Sequence, residues 1–325
     1  MMFVEFGEPV SVLDGHFYDY AETYLVDGRY EPPVSLTGLA KSFRANSMHG
    51  SAIYAKRNIL SMAIELKNKN LISKSDMDKF LLDFGVFGNA YFQAVRNMLG
   101  KIVQFKHLPA LYMRRREKPN CYSYVTFSQT INYKEGSVFH FFEYDITQEI
   151  YGIPEYFGTL SSVWLNEDAT LFRRKYYKNG AHSGFLLYMN NAKLDEEMEK
   201  EIKATLNSAK GLGNFKNMFI NGRGTDKEKP ELIPVGQINA KDEFASMKNV
   251  TKADILSAHR IPIELMSVVT DNLKSPGDLN KTDRIFYKNE IQPLGNRLAM
   301  AIEEFSGQPV IEIKPYQSLE ADVSA

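Results

Sequence analysis

The sequence predicts an α+β chain in which helical blocks flank a small β unit, and three observations carry that prediction. Apolar residues recur at helical spacing in several stretches, as in SDMDKFLLDFGVFGNAY, where Phe80, Leu81, Phe84 and Phe87 share a face. Between Ala90 and Tyr144 the pattern switches to short β-branched or aromatic runs, punctuated by Gly100, Pro109, Pro119 and Gly136, which reads as an antiparallel β unit. From Asn249 to Phe305 a helix runs into an Ile-Pro-Ile turn, crosses a polar Gly/Pro loop and enters a long helix with a proline inside it.

Taken in order, residues 1–35 are aromatic and polar with Pro9, Pro32 and Pro33, and read as an extended, partly mobile arm. Residues 36–60 read as two helices broken at Gly50 and Ser51. Ser73 or Ser75 caps the next helix, with Asp76 and Asp78 in its first turn, where the helix dipole favours negative charge. After the β unit, a helix from about Glu155 to Lys178 carries Trp164, Leu165, Ala169, Leu171, Phe172 and Tyr176 and stops at Asn179-Gly180. GFLLYM reads as a strand. LDEEMEKEIKATLNSAKG reads as an amphipathic helix with Met198, Ile202, Leu206 and Ala209 on one face. NFKNMFI and ELIPV read as strands flanking the charged turn NGRGTDKEKP. Thr251 followed by Asp254 reads as a capping box, and Pro262 ends that helix near His259. Asn272, Ser275, Pro276 and Gly277 mark a loop over 270–280. The last helix shows Ile291, Leu294, Leu298, Ile302 and Phe305 on one stripe, with a kink expected at Pro293. The tail GQPVIEIKPYQSLEADVSA adds one strand and then frays.

Composition narrows the function. The 325 residues are 44% hydrophobic and 24% charged, an ordinary globular balance. The formal net charge of -1 opposes a sequence-reading DNA binder, which needs a basic surplus to neutralise phosphates. The one cysteine, Cys121, excludes an intrachain disulfide and a cysteine-based metal site. The start MMFVEFGEPVSVLDG lacks the basic and apolar regions of a signal peptide, and no apolar run approaches a membrane span, so a soluble chain made inside the cell is expected.

Catalytic patterns are weak throughout. The six histidines show no HExxH and no i, i+4 pair, so no metal site is expected. Gly211-Leu212-Gly213 follows a helix instead of a strand, the wrong order for a dinucleotide loop, and no GxxxxGK[ST] is present. No cofactor is therefore expected, and any energy for moving a ligand would come from another protein. Two basic clusters stand out, Arg114-Arg115-Arg116 and Arg173-Arg174-Lys175. Adjacent charges on a helix spread over different faces, so a solvated face or an inter-subunit ion pair suits them better than joint phosphate contact.

Segments distributed over most of the chain carry a resemblance. They include EPPVSLTGLAKSFRAN at 31–46, HGSAIYAKRNIL at 49–60, DFGVFGNAY at 83–91, GSVFHFFEYDITQEIYGIPEY at 136–156 and LNEDATLFRRKYYKNGAHSGFLLYM at 165–189. They continue with AKGLGNFKNMFI at 209–220, AKDEFASMKNVTKADILSAHRIPIELM at 240–266 and FYKNEIQPL at 286–294. In number and order they resemble the portal vertex proteins, or head–tail connectors, of tailed bacteriophages, of the PBSX type. The resemblance implies a portal fold of wing, stem, clip and small crown, assembled as a ring of twelve copies at one capsid vertex. By position it implies an arm at 1–35, a wing containing the β unit at 36–158 and a first stem helix at 159–180. A clip at 181–236, a second stem helix at 237–262, a tunnel-loop region at 263–280 and a C-terminal wing helix with a short tail at 281–325 complete the assignment.

The implied activity is a channel for packaging and ejecting double-stranded DNA, contacted non-specifically, with no enzyme chemistry. Asn272, Lys274, Ser275 and Lys281 are the DNA-proximal candidates of the tunnel loop. Glu196, Glu197, Lys200, Arg223 and Lys227 are clip docking candidates, and Arg173, Arg174 and Lys175 are candidates for inter-subunit or phosphate contact. The implied partners are other copies of the chain, the terminase large subunit, major capsid and scaffold proteins, and head-completion or neck proteins, in the virion and, during assembly, in the host cytoplasm. A head-to-tail ring must bury apolar surface on two different faces of each subunit. The alternatives are another phage assembly factor or a non-specific DNA-binding protein without a channel, the latter opposed by the charge balance; an assembly nuclease or protease would need a metal or nucleophile constellation that the sequence lacks.

Overall fold

The computed structural model describes residues 23–147, 149–178, 185–189, 197–198, 200, 218–221, 231–234, 240–266 and 276–316. The chain divides into two units, one formed by Met1–Trp164 with Lys252–Ala325 and the other by Leu165–Thr251.

In the first unit, the described part of the expected arm holds a β-hairpin. β1 (Leu25–Val26) pairs with β2 (Arg29–Tyr30). Asp27 and Gly28 between them have φ of 51° and 71°, the doubly positive backbone of a two-residue hairpin turn. Helix α1 (Leu36–Ala45) starts at Ser35, whose hydroxyl accepts from the Gly38 N–H at 3.1 Å. Helix α2 (Ser47–Ala63) follows after one residue. The break lies at Asn46, not at Gly50-Ser51, because Asn46 caps α2 by accepting from the Met48 and His49 amides at 2.8 and 3.2 Å. Gly50 sits inside α2 for a different reason: a Cβ there would stand 2.9 Å from the Phe43 carbonyl oxygen, so glycine lets α1 approach. β3 (Ile64–Leu66) leads to α3 (Lys74–Phe87), capped by Ser73 and not Ser75; the Asp76 N–H donates to the Ser73 hydroxyl at 3.0 Å.

Helix α3 ends at Gly88, in the left-handed region at φ 67° and packed directly on the Ile153–Pro154 backbone. The chain then enters β4 (Asn89–Arg96), which lies between β5 (Ile102–Leu108) and β9 (Val138–Phe142), all antiparallel. β6 (Met113–Arg115), β7 (Tyr122–Val125) and β8 (Thr130–Asn132) form a second antiparallel sheet, so the expected β unit is two sheets. Helix α3 serves two cores. Phe80 and Leu81 enter one, where Phe80 stacks on Phe92 with ring centroids 4.1 Å apart. Val86 and Phe87 enter the other, with Tyr91, Met113 and Tyr156.

A short 3-10 turn at Phe157–Thr159 opens α4 (Leu160–Lys178), in which the chain passes from the first unit into the second. The second unit holds β10 (Phe185–Met189) between β11 (Met218–Asn221), which runs parallel to it, and β12 (Glu231–Pro234), which runs antiparallel. All three were legible as strands. Helix α5 (Ala240–Ala258) returns to the first unit. It begins eleven residues before Thr251, so the capping box is not a helix start. Thr251 is buried mid-helix, and its hydroxyl donates to the Met247 carbonyl at 2.8 Å, a back-bond typical of an interior threonine.

Helix α6 (Pro276–Phe286) begins at the proline expected to lie in a loop. Proline is pre-organised for a first helical turn, where its missing N–H is not needed. The helix continues through a π turn at Tyr287–Ile291 into α7 (Gln292–Ser306). The Gln292 N–H donates to the Tyr287 carbonyl, five residues back. The wide turn ends two residues before Pro293, whose ring would crowd the carbonyl four residues earlier in an ordinary α-helix. Ile291, Leu298 and Ile302 are buried, and Leu294 and Phe305 pack against them, so the apolar stripe is the core face. The tail strand β13 (Ile311–Ile313) pairs antiparallel with β3.

Candidate functional site

The second unit is organised around its two long helices. The Asn166 amide on α4 donates to the Thr251 hydroxyl on α5 at 2.6 Å, with both side chains buried. Beside this polar pin, large apolar side chains face outward: Leu165 and Leu171 on α4, Met247 and Val250 on α5. Amphipathic helices normally bury such residues, so this surface is built to be covered. Arg173 and Arg174 lie on the same stretch of α4, the first half-buried and the second exposed, and neither has an ion-pair or hydrogen-bond partner among the described residues. Lys175 is in α4, but its side chain lies outside the described residues.

Within the first unit, a pocket of about 230 Å³ opens between α2, α3, the π turn and the end of α5. Its wall carries Lys56, Arg57, Arg260 and Arg297 against Glu143, Glu155 and Glu290. Lys56 Nζ donates to both Glu155 oxygens at 2.7 and 2.8 Å and lies 3.7 Å from Glu290. Arg260 stands 3.5 Å from Glu290, and Arg297 pairs with Glu143. Behind this ring, His49 Nδ1 and His259 Nε2 are 2.9 Å apart, one donating and one accepting. The Tyr156 ring packs on both, 4.4 Å from His49 and 5.2 Å from His259 between centroids. Burial pushes both imidazoles down, His49 to about 4 and His259 to about 3, with His49 and Lys56 adding to the shift at His259. Both rings are therefore neutral near pH 7. A second buried histidine network lies in the β4–β9 sheet. There His140 stacks on Tyr91, binds the Asn89 carboxamide oxygen at 3.0 Å and is pushed down to about 3, chiefly by burial and further by Arg115.

None of these groups forms a nucleophile or metal constellation. Among the described residues, no group of three or more His, Cys, Asp or Glu side chains is placed to hold a metal ion. Cys121 is buried directly before β7. No described helix is long and apolar enough to cross a membrane.

Comparison with known proteins then decides the family. The profile described as phage portal protein matches residues 51–323. The chain belongs to the phage portal protein family. It is 44% identical over 320 residues to the "probable portal protein" of Escherichia phage P2, covering 98% of this chain and 92% of that one. It is 36% identical over 282 residues to the "probable portal protein" of Haemophilus phage HP1 (strain HP1c1), covering 85% and 81%. Among solved structures it matches a chain of the neck of a native gene transfer agent particle, computed with C12 symmetry, at a TM-score of 0.63 and 16% identity, covering 91% and 88%. The last similarity speaks to fold. The role that goes with the family is that of portal, or head–tail connector, in a phage particle.

For this portal-family chain, the residues singled out from sequence fall unevenly. Lys281 lies on α6, exposed and without an ion-pair or hydrogen-bond partner among the described residues. Helix α6 already covers 276–280, so Lys281 belongs to a helix and not to the edge of a loop. Asn272, Lys274 and Ser275 lie outside the described residues. Glu197 and Lys200 are helical and exposed, whereas Glu196, Arg223 and Lys227 lie outside the described residues. Of the first basic cluster, Arg114 pairs with Glu31 at 2.8 Å and Arg115 stacks over Tyr122, so both are structural. Sequence reasoning did not find the pocket or the His49–His259 pair. The two histidines are 210 positions apart and the pocket wall runs from Ile53 to Arg297, so no local spacing announces either.

Proposed function

We propose that twelve copies of this chain close into a ring, and that its channel conducts double-stranded DNA into and out of the capsid. One observation carries the reading beyond family membership: the large apolar side chains that the two long helices leave exposed. Among the described residues, Leu165, Leu171, Met247 and Val250 stay between 37% and 59% exposed, and head-to-tail closure covers such side chains with the neighbouring copy. One gene transfer agent neck was computed with C12 symmetry and another with C6, and twelve follows the first. In this reading α4 and α5 are the stem helices, residues 181–236 form the clip and residues 36–158 with 281–325 form the wing. The segment 263–280 approaches DNA, with Asn272, Lys274, Ser275 and Lys281 as its candidate contacts.

The clip, through Glu196, Glu197, Lys200, Arg223 and Lys227, would meet the terminase large subunit and later the head-completion or neck proteins. Capsid and scaffold proteins would surround the wing. In this reading Arg173, Arg174 and Lys175 are the candidates for contact with a neighbouring subunit's carboxylates or with DNA phosphates. With a net charge of -1, the chain would touch DNA weakly and non-specifically, which suits passage better than retention. Replacing Leu171 and Val250 together by Glu tests the interface. Sedimentation should show loss of the ring while circular dichroism and thermal unfolding of the subunit stay unchanged. A ring that survives both charges would place the interface elsewhere and remove the observation on which this reading stands.

A further inference from the structure

The pocket of the first unit has one cation too many. Lys56, Arg260 and Arg297 each have a carboxylate partner in its wall, as given above, but Arg57 has none. The Arg57 guanidinium lies over the Tyr54 ring at 5.5 Å, and its Nε is buried without a hydrogen-bond partner among the described residues. A buried donor left unpaired is costly, so an acceptor belongs there. Arg260 gives a second sign. It occupies the position after α5 at φ 55°, in the left-handed conformation that glycine adopts without strain. Holding an arginine there keeps a second guanidinium at the pocket rim. Ile53, Leu81, Phe84 and Leu294 give the wall an apolar side, with Asn289 and His259 also lining it. The site therefore suits a carboxylate carried next to an aromatic or aliphatic group.

The chain itself contains such a segment. Residues 1–22 hold five acidic residues, Glu5, Glu8, Asp14, Asp19 and Glu22, no Lys or Arg, and five aromatic residues. The C-terminal residues 317–325 offer only Glu320 and Asp322 and no aromatic side chain. Extended, the first segment reaches about 70 Å, against a radius of gyration of about 18 Å for a compact body of the size of the first unit. Tethering raises its local concentration to roughly millimolar, so a weak contact suffices. We propose that this pocket is the docking site of the chain's own residues 1–22, one carboxylate pairing with Arg57 and a neighbouring aromatic ring filling the apolar side. The proposal does not depend on ring closure.

The full chain carrying Phe84→p-benzoylphenylalanine tests it. Irradiation followed by peptide mass mapping should join position 84 to residues 1–22, in a product that runs as a single chain on a denaturing gel. Cross-links to residues 317–325, to a second chain, or only to the pocket's own wall would overturn it. Hydrogen exchange on the full chain, needing no change at Phe84, gives an independent reading. Arg57→Gln should speed exchange in residues 1–22 about tenfold, the effect of losing one charge-assisted contact. Exchange in that segment that is unchanged by Arg57→Gln would also overturn it.

Discussion

Three histidines, His49, His140 and His259, are held neutral by burial, and this has a consequence for stability. Their folded-state pKa values lie below the ordinary 6.5, at about 4, 3 and 3. The unfolded chain therefore takes up protons that the folded chain refuses. Their contribution is complete above pH 6.5 and is lost as pH falls from 6.5 toward 4, at about 1.4 kcal/mol per pH unit for each histidine. Urea unfolding at a series of pH values should show this slope. His140→Gln, which keeps a hydrogen-bonding group beside Asn89, should flatten it by about one proton between pH 6 and 4.5. Another residue-scale prediction concerns Gly152. A Cβ there would overlap the Gly88 carbonyl oxygen and press on the Glu143 backbone. No side-chain rotation relieves a clash with backbone, so Gly152→Ala should cost more than about 3 kcal/mol in thermal or urea unfolding.

Individual elements show how much of the fold local sequence announces. Helix α3, with its apolar face and serine cap, and the strands β10, β11 and β12 were legible because propensity and pattern agree in them. The errors share a cause. Gly50 looked like a helix break, but its absence of a side chain serves the approach of α1, a tertiary contact that no local rule reports. Thr251 looked like a cap, but it is the partner of Asn166, 85 positions away. Pro276 looked like a loop residue, although the same ring geometry starts a helix. The pocket and its histidine pair were illegible for the same reason, being assembled from elements far apart in the chain. Asn46 gives the element-scale prediction. It caps α2 and sends its amide to the Val163 carbonyl at 3.4 Å, so Asn46→Ala should cost about 1–2 kcal/mol and speed hydrogen exchange first in the opening turn of α2.

At the scale of the whole molecule, the portal-family chain presents apolar helix faces that its own fold leaves uncovered, and a charge balance unsuited to gripping DNA. The same holds at the turns that follow β4 and β7. Met98 and Phe127 are fully exposed there, at 105% and 110%. Isolated subunits should accordingly self-associate at concentrations where an ordinary soluble domain stays monomeric. The most direct measurement is the native mass of the purified full chain, with electron micrographs of the same sample. A ring near twelve times 37.1 kDa, with a central opening wide enough for duplex DNA, is the predicted result. A single species of 37.1 kDa that stays monomeric even when capsid and scaffold proteins are present would contradict the account.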